Sequence, residues 1–140
     1  MSINISQTIS GSLIASVIWF IVGGALYMNP FVAKIYQAAE NSPALKKWPS
    51  VPRYIGLQYV GILAQCLLWA FIFVLVKPAL PGEVLIKGLL FGFILLAIKI
   101  FPRFYDTWIQ STYPNKLLAV EFINGTIGSF IIGLVFAYVI

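Results

Sequence analysis

The chain has 140 residues, of which 61% are hydrophobic and 9% charged, with a net charge of +5 and a mean hydropathy of +0.96. A water-soluble domain carries about 25% charged residues, so this composition cannot cover a water-facing surface and points instead to one transmembrane domain over residues 1–140. One cysteine, no histidine and four carboxylates leave no internal disulfide, no imidazole base and no ordinary zinc or haem site, so no metal, cofactor or enzymatic activity is expected.

Met1 to Ser10 carries no Lys or Arg. It lacks the basic region of a signal peptide, so the first apolar run is expected to be retained. A spanning helix needs roughly 20 mostly apolar residues, and four windows qualify, at about 9–28, 54–76, 83–101 and 117–138. They are continuously apolar rather than alternating, which predicts helices and not strands. The fold class expected is all-α, a four-helix transmembrane bundle.

The connections carry their own patterns. In NPFVAKIYQAAENSP, Asn29 can cap a helix and Pro30 can take its first position. Phe31, Ile35 and Ala38 or Ala39 then share one face, with Lys34, Gln37 and Glu40 elsewhere. Pro43, Pro49 and Pro52 make SPALKKWPSVPR a stiff return to the second span. KPALPGE is a tight turn. FPRFYDTWIQSTYPNK repeats Phe104 or Tyr105, Trp108 and Ile109 at helical spacing. Both longer connections read as short helices in the headgroup layer, where aromatic side chains anchor well.

Lys34, Lys46, Lys47 and Arg53 lie between spans one and two, and Lys99, Arg103 and Lys116 border the connection between spans three and four. The two termini have no basic side chains. Positive residues favour the cytoplasmic side, which predicts both termini outside, both basic loops inside, and a plasma or inner membrane location. The same basic residues suit anionic lipid headgroups as partners, with no nucleic acid. Lys77 and Lys87 border the middle turn, and Lys87 is expected to snorkel to the outer interface. The two halves share an outline of span, proline, basic aromatic segment and span. QYVG and EFING each open the second span of a half, which hints at a duplicated hairpin.

In lipid, helices associate by close packing and interhelical hydrogen bonds, so small residues four apart mark seams. Gly125, Ser129 and Gly133 form one such row in span four, and Gly88 and Gly92 one in span three. These two spans are the expected tight pair. Polar groups at depth need partners as well. Glu121 and Asn124 lie one and two turns inside the fourth span, with Lys99 and Arg103 at the end of the third. Gln58 and Gln65, seven residues apart, share a face of the second. A polar cluster of Gln58, Gln65, Lys99, Arg103, Glu121 and Asn124 is therefore expected in the cytoplasmic half. It acts either as glue fixing helix register or as a ligand, ion or proton site. Cys66 reads as a packed small residue. Asn124-Gly125-Thr126 matches a glycosylation triplet but lies at membrane depth, whereas Asn4-Ile5-Ser6 lies outside in this topology.

WFIVGGALYMNPF, with Gly24, Tyr27, Pro30 and Phe31, and the closing FINGTIGSFIIGLVF resemble a domain-of-unknown-function family of small four-span membrane proteins. The resemblance implies a four-helix membrane fold and no particular activity. Three functions compete. The first is a non-enzymatic accessory, assembly or structural subunit packing against other membrane helices or a second copy. The next is a small proton-coupled carrier using Glu121, as small multidrug transporters use an embedded glutamate. A membrane-embedded enzyme acting on lipid or quinone ranks last, because reactive groups are so few.

Overall fold

The computed structural model describes residues 4–140; Met1 to Ile3, the start of the N-terminal tail, lie outside the described residues. The order of elements is α1 (Ile5–Met28), α2 (Pro30–Ala38), α3 (Val51–Val76), a 3-10 turn (Lys77–Ala79), α4 (Val84–Leu95), a π segment (Leu96–Ile100), α5 (Phe101–Gln110) and α6 (Asn115–Val139). There is no strand among the described residues. Four stretches, Ile5–Met28, Val51–Ala79, Val84–Gln110 and Asn115–Val139, are long and apolar enough to cross a membrane. That is the pattern of a multi-pass membrane protein.

Side chains at the breaks explain where helices start and stop. Asn4 Oδ1 accepts from the Gln7 amide and starts α1. Asn29 serves both sides of its break: Nδ2 donates to the Leu26 carbonyl at 2.7 Å, and Oδ1 accepts from the Val32 amide at 3.0 Å. Pro30 follows in the first turn of α2, where its missing N–H costs nothing. Ser50 caps α3 through the Arg53 amide. The turn between α3 and α4 closes on Gly82 at φ +82°, a conformation a side chain at that position resists.

The segment expected to form a separate helix after span three is instead continuous with it. Pro102 cannot donate to the ladder, and its ring would crowd the carbonyl of Ile98 in a regular helix. The chain widens to a π turn over Leu96–Ile100, with the Phe101 amide reaching back to the Leu96 carbonyl, and then resumes as α5. The register is shifted without a break.

α6 is the central helix. It packs along α4 on one side and α1 on the other, while α3 is held chiefly by α1. Each half of the chain is thus an antiparallel helix pair, α1 with α3 and α4 with α6. The α4–α6 seam is the closest approach of two backbones. A Cβ placed on Gly133 would collide with the Gly88 carbonyl oxygen and lie 2.7 Å from the Gly92 amide nitrogen. One on Gly92 would lie 2.9 Å from the Phe130 Cα, and one on Gly88 3.0 Å from the Leu134 Cα. Gly125 meets Ile100 at the next level, and the Ser129 hydroxyl returns its bond to the Gly125 carbonyl at 2.8 Å. On the other side of α6, Gly128 receives the ring of Trp19 from α1, and Gly11 lies against Ile140. The buried face of α1 is small and hydroxylic. Thr8 and Ser12 bond back to the Asn4 and Thr8 carbonyls, and Ser16 bonds to the Leu13 carbonyl and reaches Tyr59 of α3 at 3.4 Å.

Toward the α3–α4 turn, Phe73, Phe91 and Phe136 join α3, α4 and α6. Their centroids are 5.0, 5.9 and 6.1 Å apart, in edge and tilted geometry favoured by aromatic quadrupoles. Cys66 and Ala70 complete the same core, with Leu95 and Ile132.

Candidate functional site

At the opposite end of the bundle, α1, α2, α5 and the 111–114 connection converge on the first turns of α6. Glu121 sits there, its side chain 24% exposed. Its Oε1 accepts from the Tyr113 hydroxyl and its Oε2 from Arg103 Nη2 at 3.4 Å. Arg103 is 75% exposed, so water and salt screen that ion pair and it contributes at most about 1 kcal/mol. The Tyr113 bond is the better sheltered of the two. Burial, then the bond to Glu121 and its charge, push the Tyr113 phenol well above its ordinary range, so it stays a neutral donor.

Behind this pair stand two more tyrosines. Tyr27, in the last turn of α1, meets Tyr36 of α2 edge to face at 6.0 Å. Burial is also the chief cause that raises the Tyr36 phenol. Phe104 of α5 lies against Phe122 of α6 at 4.9 Å, which holds α5 beside the glutamate. Asn124, one turn further along α6, is 5% exposed. Its Nδ2 has no hydrogen-bond partner, although Tyr27 is its polar neighbour. Trp69 Nε1 on α3 is likewise buried and unpartnered.

The expected six-residue cluster is therefore only half assembled. Glu121, Asn124 and Arg103 share one site. Lys99 does not reach it: the π turn places Lys99 on the side of α3, with Cys66 and Arg103 as its ionisable neighbours. Gln58 and Gln65 are turned the other way altogether. Both are exposed, and neither makes a hydrogen bond among the described residues. The reason is packing: α3 buries the Cys66, Ala70 and Phe73 face and leaves the glutamine face outward. The tyrosines were the residues missed. Tyr113 lies eight residues before Glu121 and Tyr27 one residue before Met28, so both stand at span ends, where tyrosine reads simply as a headgroup anchor.

Chemically, the site can tie the second connection to α6 and hold a carboxylate at the bundle end. Two surface grooves of about 430 and 270 Å³ lie nearby, and Glu121 lines neither. A comparison with family models, curated proteins and solved structures finds no match. Function is to be read from this chain's own residues.

Proposed function

We propose that the chain is a non-enzymatic accessory or assembly subunit of a membrane complex, and that α3 is the helix it presents to its partner. The observation that carries this is the outward face of α3. Tyr54, Gln58, Gly61, Gln65, Leu68 and Ile72 recur on it every three or four residues. Gln65 lies twelve residues from Arg53 and twelve from Lys77, about 18 Å along the helix from each charged end. It therefore stands near the bilayer midplane. A glutamine amide facing lipid there has four unmet hydrogen-bonding positions, and a neighbouring helix can meet them. Gly61, one turn away, has open space around its missing side chain and lets a partner backbone approach.

In this reading the two basic connections face the cytoplasm, both termini face outside, and α2 and α5 lie at the headgroup level of a plasma or inner membrane. The outward aromatics of α5 suit that level: Phe101 stacks on Tyr105 at 6.3 Å, and Tyr105 meets Trp108 at a tilt at 6.1 Å. The Glu121 site is glue in this scheme, fastening the second connection to α6.

The test is the size of the particle extracted in mild detergent. The wild-type chain is expected in a complex, and Gln58→Leu with Gln65→Leu is expected to release it as a free chain of unchanged stability. Recovery of the wild type only as a free chain overturns the proposal.

The carrier reading draws on one observation, the unpartnered Asn124 amide a turn from Glu121. Under that reading Glu121→Gln abolishes proton-coupled uptake into proteoliposomes. Against it, both Glu121 oxygens are already engaged by groups of this chain.

A further inference from the structure

We infer that the groove between α2 and the start of α6 is a binding site for one anionic phospholipid. The groove has a volume of about 430 Å³ and no acidic residue in its lining. Its walls are apolar, from Phe31, Ile35 and Ala38 of α2 and Leu117 of α6, and Lys34 and Lys116 stand on its two sides. The two lysines come from opposite halves of the sequence, and neither forms an ion pair among the described residues. That combination is the chemistry of a phosphodiester with a hydrocarbon tail. Two ammonium groups meet one anionic headgroup, and the Phe31 and Ile35 side chains offer the tail a wall. A free phosphate ion gains nothing from the apolar lining, which is why the occupant is a lipid. The inference rests on the membrane setting of α2, and it is independent of any partner at α3.

The experiment uses the full chain in detergent micelles. Retention of phosphatidylglycerol, phosphatidylcholine and inorganic phosphate is followed by native mass spectrometry. One phosphatidylglycerol per chain is expected, held in preference to phosphatidylcholine and not displaced by equimolar phosphate. Lys34→Gln with Lys116→Gln should weaken retention about thirtyfold, whereas Lys46→Gln with Lys47→Gln, the same charge change outside the groove, should leave it unchanged. Ala38→Phe fills the groove without altering charge and should weaken retention as well. Equal loss in both lysine pairs, equal retention of phosphatidylcholine, displacement by phosphate, or retention undiminished in Ala38→Phe each overturns the site.

Discussion

Gly133→Ala tests the packing of the bundle at its tightest point. The added methyl carbon would collide with the Gly88 carbonyl oxygen and stand 2.7 Å from the Gly92 amide nitrogen, where ordinary contact begins at 3.4 Å. Both neighbours are backbone atoms of α4 and cannot swing aside as a side chain can. Relieving the collision with the Gly88 carbonyl oxygen requires α4 to withdraw by roughly 1 Å, and a gap of that size forfeits up to about half of the dispersion attraction across it. Overpacking of this kind costs roughly 1–3 kcal/mol. The better helix propensity of alanine returns up to about 1 kcal/mol, leaving a net loss of about 1–2 kcal/mol, a factor of about 5 to 30 in the folded-to-unfolded ratio. Gly24→Ala is the control, because a Cβ there meets nothing within 4 Å; it should be neutral or stabilising by up to about 1 kcal/mol. Reversible unfolding in mixed micelles with rising dodecyl sulfate, followed by tryptophan fluorescence, reads both variants. A Gly133→Ala chain as stable as Gly24→Ala would refute the close α4–α6 seam.

Tyr113→Phe removes the sheltered donor to Glu121 and should cost about 1–2 kcal/mol in the same assay, whereas Arg103→Gln should cost less than about 1 kcal/mol and less still in high salt. The Tyr113 phenol is raised on folding, so its contribution is complete below the unfolded value of about 10 and fades as pH climbs through the higher folded value. Unfolding measured between pH 9 and pH 11 should accordingly show falling stability, and Tyr113→Phe should flatten that slope. Pro102→Ala permits a regular helix through Leu96–Ile100. Spin labels on α4 and α5 should then report a rotation of the α5 end, with Arg103 carried away from Glu121.

The sequence was most informative where one physical rule acted alone. Hydrocarbon thickness set the four spans, and steric need set the Gly88, Gly92 and Gly133 seam, because only glycine lets two backbones approach so closely. It was least informative about helix rotation. α3 is apolar all round, so hydropathy could not say whether Gln58 and Gln65 turned inward to Glu121 or outward, and the Cys66–Phe73 face prevailed through aromatic packing with Phe91 and Phe136. Lys99 was misplaced for a related reason. Its face follows from the π turn that Pro102 imposes three residues later, and a regular 3.6-residue period does not anticipate that shift. Half of the Glu121 site was legible because a carboxylate inside an apolar run announces its need for a partner. Tyr113 was hidden because tyrosine at a span end has an adequate explanation without it.

The proposed role requires the Gln65 face of α3 to meet another membrane helix. A photo-activatable residue placed at position 65, and in a separate chain at Phe93 on the outward side of α4, which is 60% exposed, compares two outward positions in native membranes. A discrete protein cross-link is expected from position 65, lost when Gln58 is also replaced by leucine, with only lipid adducts from position 93. Lipid adducts alone from position 65 would contradict that role.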